Sequence, residues 1–446
     1  MPETGPLGTA SPHSTPSPSS PPPPDSARIA SSGVGPLRAA PLRVAMVSMH
    51  TSPLASPGAG DAGGMNIVEW HEALALAALG HEVDLITRRG DPAQPDAVEV
   101  ADGVTVRHLT AGPESALPKS QIDAHIPQFA AGLAELGPYD LYHSHHWMSG
   151  MAALPLAHER GVPHIQSYHS VAALPGSILS DGEPPESPGR VPGEAYLSQE
   201  SDLVVAISAA EADTVVSRCG ANPCRVAIVP PGVDTSLFHP LADPVAEGDG
   251  GRATVFFAGR LQPLKGPDLA IAAVAHVDPA IRPRLVIAGA VSQDFADYAE
   301  ELRRLVDEHG LADDVEFIGP QPRPDLARWL RRSQICLVPS HSETFGLIAL
   351  EAAASGTPVI AAAAGGLREA VVHGESGQLM DSRRPQDWAD AITRLLSDPA
   401  RLTRMGVVAR IHARRFTWER TARELESLYR KAVLCGGRCN EEVEWL

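Results

Sequence analysis

Leu337-Val338-Pro339-Ser340-His341-Ser342-Glu343-Thr344-Phe345-Gly346-Leu347-Ile348-Ala349-Leu350-Glu351 joins a strand end, a short loop and the start of a helix in one run. Leu337 to Ser340 reads as the end of a buried strand. The apolar periodicity from Phe345 to Ser355 predicts a helix closed by Gly356 and Pro358. A strand feeding directly into a helix is the repeating step of a doubly wound α/β sheet. The run also carries two carboxylates, Glu343 at the start of the helix and Glu351 about two turns further in. The backbone N–H groups of Thr344, Phe345, Gly346 and Leu347 fall at the positive end of the helix dipole, where a diphosphate binds well. Ionised carboxylates beside it accept hydrogen bonds from sugar or ribose hydroxyls. On spacing alone the same two glutamates also fit a helix cap and a solvated helix position.

The neighbouring segments favour the binding reading. Val255 to Gly266 is an apolar strand running into a loop with Gly259, Arg260, Lys265 and Gly266. Glycines let the backbone approach a phosphate, Arg260 can fork two oxygens, and Lys265 adds a point charge. Loops at the carboxyl ends of parallel strands are where open α/β sheets bind ligands. Ala364-Gly365-Gly366-Leu367, after the strand Thr357 to Ala362, reads as another glycine turn opening onto a helix.

Strand and helix patterns alternate along the chain in two series. The first has strands at Leu42–Met49, Glu82–Thr87, Val104–Leu109, Leu141–Ser144, His164–Tyr168, Leu203–Ile207 and Arg225–Val229. The second has strands at Val255–Ala258, Arg284–Ala288, Val315–Gly319, Ile335–Val338 and Thr357–Ala362. Both read as doubly wound parallel sheets. The expected division is a disordered Pro/Ser-rich extension at 1–40, a first domain at 41–240, a linker at 241–252 and a second domain at 253–415. A crossover helix at 416–434 and a tail at 435–446 complete it.

Composition narrows the function. At 446 residues with 43% hydrophobic and 20% charged residues, the chain suits a globular protein of two domains. A net charge of −18 argues against nucleic acid and against anionic membranes. No apolar run is long enough to span a bilayer, and no signal segment is evident. Five scattered cysteines suit a reducing compartment, so a cytoplasmic location is expected.

Together these segments resemble the donor half of a family 4 retaining glycosyltransferase of the GT-B type, over roughly Leu42 to Lys431. The resemblance implies two Rossmann-like domains facing a central cleft. It implies a nucleotide-sugar donor, with Glu343 contacting the transferred sugar, Glu351 the ribose, and Arg260 and Lys265 neutralising the departing diphosphate. His169 matches the family histidine near the transferred sugar. Retention is expected to proceed on one face, the leaving phosphate helping to deprotonate the acceptor, with no protein nucleophile. No Asp-x-Asp signature lies at a suitable strand end, so no metal is expected in the chemistry, and no cofactor beyond the nucleotide-sugar co-substrate. A homodimer is common for the family.

The loop His50 to Asn66 sharpens the resemblance. It is similar to that of the D-inositol-3-phosphate glycosyltransferases of mycothiol biosynthesis, which move N-acetylglucosamine from UDP to an inositol phosphate. In that subgroup Gly63 and Gly64 present N–H groups to the donor. Asn66, Lys119 after Ala111-Gly112-Pro113, His146, Ser170 and Arg190 after Pro185-Glu186-Ser187 face a small polar acceptor. Departures point to a second reading. His146 stands where the subgroup has tyrosine, Leu174-Pro175-Gly176 replaces an asparagine turn, and Gly289-Ala290-Val291 replaces a Gly-Gly-Pro turn. Val191-Pro192-Gly193 interrupts the expected helix after Arg190, which predicts a rebuilt acceptor wall. A relative serving natural-product biosynthesis, moving a sugar from a GDP or UDP donor to a small thiol or other metabolite, fits these departures. Nucleotide-sugar epimerases, pyridoxal-dependent phosphorylases and non-catalytic sugar-nucleotide sensors are weaker rivals.

Overall fold

The computed structural model describes residues 40–55, 63–173, 187–241, 251–291 and 295–436. The extension before Ala40, the Leu174-Pro175-Gly176 turn, Pro185-Glu186, the linker stretch 242–250 and the tail from 437 onward lie outside the described residues.

The first sheet contains β1 (Arg43–Ser48), β2 (Glu82–Arg88), β3 (Ala97–Ala101), β4 (Val104–Leu109), β5 (Leu141–His145), β6 (His164–Ser167), β7 (Leu203–Ala206) and β8 (Val226–Ile228). Their spatial order is β3-β4-β2-β1-β5-β6-β7-β8. The second contains β9 (Thr254–Ala258), β10 (Arg284–Ala288), β11 (Val315–Gly319), β12 (Ile335–Val338), β13 (Val359–Ala362) and β14 (Gly377–Met380), in the order β11-β10-β9-β12-β13-β14. Every pairing is parallel except β3 with β4. That pair is a hairpin closed by Asp102 and Gly103, the latter at φ 77°, a backbone state glycine adopts without a Cβ clash.

Each sheet is buried on both faces, as parallel sheets must be. Along the second sheet Phe257, Ile287 and Leu337 enter one core, while their neighbours Phe256, Val286 and Cys336 enter the other. The first sheet divides in the same way, with Ala45 and Val47 on one side and Val44 and Met46 on the other. This period of two explains why the strands read as unbroken apolar runs.

The last described helix, Trp418–Leu434, packs on the first sheet rather than on the second. Its Ala422, Leu425 and Leu428 share a core with Val44, Val83 and Leu141. In both sheets the order reverses beside the first strand of the series, between β1 and β5 and between β9 and β12. Such switch points open a crevice at the carboxyl ends of the strands. Among the described residues, no helix is long and apolar enough to cross a membrane.

Candidate active site

The crevices of the two sheets form one cavity of about 430 Å³. All sixteen site residues expected from the sequence line it: Gly63, Gly64, Asn66, Lys119, His146, His169, Ser170, Arg190, Arg260, Lys265, Glu343, Thr344, Phe345, Gly346, Leu347 and Glu351.

The second-domain wall is built from the loops after β9 and β12. Lys265 ends a short turn after β9, and its Nζ lies 2.7 Å from Glu343 Oε1. Ser340 Oγ donates to the same oxygen at 2.9 Å. The Glu343 loop rests directly on the Gly365-Gly366 turn, whose Gly366 N–H donates to the Glu343 carbonyl at 3.0 Å. A Cβ on Gly365 would fall 2.0 Å from the Glu343 carbonyl oxygen, and one on Gly366 would fall 2.2 Å from that of Thr344. These glycines therefore support the carboxylate loop; the helix after them, Leu367–Ala370, is a single turn. The helix carrying Glu351 starts at Leu347, two residues later than its periodicity suggests. Gly346 caps it at φ 97° and turns the chain sharply into it.

Glu351 is 4% exposed, and Arg323 donates to its Oε1 at 2.5 Å. Burial pushes its carboxyl up and the guanidinium opposes that shift. Arg323 also lies over the Phe238 ring at 4.8 Å. It begins the helix after β11, so its only sequence signal is its position at a strand's carboxyl end.

The first-domain wall is cationic and rich in imidazole. His146 and His169 follow β5 and β6 and hold φ values of 69° and 58°, a left-handed state that costs energy in any residue with a Cβ. His169 Nε2 lies 2.8 Å from His145 Nδ1, and Thr344 Oγ1 donates to the His169 carbonyl at 2.6 Å, linking the two walls. Burial lowers the His169 imidazole to about 3. His50, to which sequence reading gave no role, lies tilted against His146 with ring centroids 4.2 Å apart. Burial pushes both well down, and the nearby cations Lys119 and Arg190 push them further. Neutral imidazoles beside two cations make a pocket suited to an anion.

Three expectations change in detail. The N–H of Gly63 donates to Asn66 Oδ1 at 2.9 Å, so Gly63 does not present it to a ligand. Asn66 donates to Thr51 Oγ1 at 3.0 Å and to the Ser52 carbonyl at 2.8 Å. Its amide thus shapes the glycine loop rather than reaching across the cavity. The helix after Arg190 is not interrupted. It spans Arg190–Glu200, because Pro192 sits in the first turn, where no intrahelical N–H donor is needed. Arg190 anchors that wall by donating to Glu194 Oε1 at 2.7 Å and to the Ser170 carbonyl and Oγ at 3.0 Å each.

Among the described residues, the one grouping with metal-ligand spacing, Glu72, His143 and His145, lies beneath the cavity and not on its wall.

The chain is similar to known proteins across both domains. Residues 63–232 match the family described as glycosyl transferase 4-like domain, and residues 243–412 match glycosyl transferases group 1. A protein of Thermomonospora curvata named D-inositol 3-phosphate glycosyltransferase is 41% identical over 87% of this chain and 95% of its own. One of Stackebrandtia nassauensis with the same name is 42% identical over 88% and 92%. Among solved structures, a sucrose-phosphate synthase from Thermosynechococcus elongatus superposes with a TM-score of 0.81 at 31% identity, covering 88% of this chain and all of that one. Two Rossmann-like sheets, a cleft with charge-paired glutamates on one wall, and matches of this extent place the chain in the group 1 glycosyltransferases of GT-B architecture.

Proposed function

We propose that the protein transfers a sugar, with retention of anomeric configuration, from a nucleotide-diphosphate donor to a small polar acceptor of the inositol-phosphate type. UDP-N-acetylglucosamine is the favoured donor. The observation that carries this reading is the division of one cavity into two chemically distinct walls. Lys265–Glu343, Arg260 and Arg323–Glu351 stand on one side, and Lys119, Arg190 and neutral imidazoles on the other. The first wall suits a sugar diphosphate, with Glu343 accepting from sugar hydroxyls and Glu351 from the ribose. Arg260 and Lys265 meet the charge that develops on the leaving diphosphate. The second wall suits an anionic acceptor, and the names of the relatives agree with that chemistry. No side chain is positioned as a covalent nucleophile in this reading; the leaving phosphate takes the acceptor proton on the face it departs from. The reaction needs no metal ion for the chemical step.

A second reading rests on Arg190. Its Nε and one terminal nitrogen are committed to Glu194 and Ser170 within the wall. That commitment favours an acceptor without a phosphate, such as a small thiol in a natural-product pathway supplied by a GDP-sugar. Thermal shift with UDP, GDP and ADP in parallel separates the two, because selective binding raises stability by mass action. UDP selectivity followed by turnover on inositol phosphate supports the first reading. GDP selectivity overturns it in favour of the second. The anomeric proton coupling of the product tests retention directly.

A further inference from the structure

Beneath the acceptor wall, a group of polar side chains is buried that takes no part in lining the cleft. Alternation along β5 sends His143 and His145 to one face of the first sheet. On the helix Gly64–Ala78, the i, i+3 spacing of Glu69 and Glu72 places both on a common face. All four side chains are at most 3% exposed. Tyr429, from the crossing helix, closes the group with its hydroxyl 2.6 Å from His143 Nδ1, and Ser167 Oγ lies 2.9 Å from His143 Nε2. His145 Nδ1 is engaged with His169 at 2.8 Å.

Four buried atoms here lack a hydrogen-bond partner: both oxygens of Glu69, Oε2 of Glu72 and Nε2 of His145. Burying carboxylate oxygens without donors is costly, so they call for a compensating charge or proton. One ligand atom from each of Glu72, His143 and His145 lies within 4.8 Å of the others. Three such atoms fall within about 2.8 Å of a common point (4.8/√3), against about 2.0–2.2 Å for zinc bonds to imidazole nitrogen and carboxylate oxygen. Small side-chain rotations close that difference.

We propose that Glu72, His143 and His145 bind a divalent transition-metal cation of the zinc type, with Glu69, whose Oε1 is 3.9 Å from His145 Nδ1, at the edge of the site. Two imidazoles and one carboxylate form a nitrogen and oxygen set that suits zinc better than magnesium or calcium. Full burial marks the site as structural, since a catalytic ion keeps a position open to solvent or substrate. His143 yields one of its two hydrogen bonds to the ion and keeps the other as outer-shell support. His145 ligates through Nε2, which leaves its proton on Nδ1 and directed to His169 Nε2. The proton of His169 then resides on Nδ1. The ion would thereby tie the first sheet to the Gly64–Ala78 helix, and fix the tautomer of a cavity histidine.

The test is metal content of the full chain produced in medium supplemented with zinc or cobalt, so that the ion is present during folding. About one ion per chain is expected, with visible d–d bands in the cobalt form. Glu72→Gln and His145→Gln should each weaken retention at least about 10- to 100-fold, the loss seen even for outer-shell partners. X-ray absorption of the loaded native chain should show imidazole and oxygen ligands without sulfur, a readout that stands even where a variant fails to fold. Content below about a tenth of an equivalent overturns the proposal. So does equal loading of native and Glu72→Gln chains, or a sulfur ligand. In those cases the group is a network of protonated acids and neutral imidazoles, consistent with the upward push of burial on Glu69 and, to about 8, on Glu72.

Discussion

Replacing Lys265 by alanine tests the donor wall most directly. Lys265 Nζ sits 2.7 Å from Glu343 Oε1, with side-chain exposures of 23% and 13%, so the pair is largely shielded. At that distance and an effective dielectric near 20, the gross Coulomb attraction is about 6 kcal/mol (332 divided by 20 × 2.7), before desolvation is subtracted. A charge partner fixed in advance against developing negative charge nets about 2–4 kcal/mol in the transition state. That corresponds to a loss of about 30- to 900-fold in kcat/KM. Two effects combine in the variant: the leaving diphosphate loses a counter-charge, and Glu343 keeps only the Ser340 hydroxyl to hold it. Both act on the reacting geometry, so the loss should appear in kcat and not in KM alone. Initial rates over a range of donor concentrations measure this, with circular dichroism and thermal melting to verify folding. A folded variant whose kcat/KM stays within twofold of the native enzyme refutes the role assigned to Lys265.

Four further outcomes follow from other contacts. Arg323→Ala leaves Glu351 buried without its partner and should lower stability by about 3–5 kcal/mol at most, measured by denaturant unfolding; the cost should shrink at acid pH, where Glu351 protonates. Thr344→Val removes the hydrogen bond to the His169 carbonyl and should lower kcat/KM about two- to tenfold in steady-state kinetics, with little change in melting temperature. Burial raises Glu211 to about 7 from 4.5, so the folded state holds a proton that the unfolded state releases between those values. Stability should therefore fall as pH rises from about 4.5 to about 7, and Glu211→Gln should flatten that slope in denaturation series by about 3 kcal/mol at most. Withholding magnesium should leave turnover unchanged, and a requirement for it in single-turnover chemistry contradicts the proposed mechanism.

The donor wall was the more legible part of the sequence because its chemistry is local. Glu343, Thr344 and Glu351 belong to one loop and helix, and Arg260 and Lys265 to one other loop, so each group is visible as a short string. The contacts that complete the cavity are not local. Arg323 reaches Glu351 from 28 residues away, and His145 meets His169 across 24. His50 lay in plain view within the glycine loop, but only folding shows it beside His146 under the field of Lys119 and Arg190. Buried strands were found within one or two residues by their apolar runs. The edge strands β3 and β14 were missed, although Asp102-Gly103 is a recognisable hairpin signal. Gly377-Gln378-Leu379-Met380 has no β-branched residue and offered no such cue. The interruption expected after Arg190 failed because proline breaks a helix only beyond its first turn.

The connections between the two domains are of unequal strength. Both chain crossings lie side by side: the Val233 N–H donates to the Phe416 carbonyl at 3.1 Å, and Thr421 Oγ1 donates to the Pro230 carbonyl at 2.8 Å. Gly232 packs so closely there that an added Cβ would lie 2.4 Å from Trp418 N. Beyond them the crossing helix is anchored in the first core by Leu425 and Tyr429. Across the cleft, by contrast, Thr344 to His169 and the Ala209 N–H to Glu369 Oε1, at 2.7 Å, are single hydrogen bonds, and Ile207 adds one apolar side chain to the second domain's core. Each such bond contributes about 1 kcal/mol net, whereas separating the crossings would expose packed apolar surface. The crossings at residues 230–233 and 416–421 are therefore the firmer of the two connections between the domains. Thr344 is adjacent to Glu343 in the same loop. One loop thus carries both the carboxylate paired with Lys265 and the hydroxyl that holds the His169 carbonyl, so the two walls of the cavity meet in a single segment.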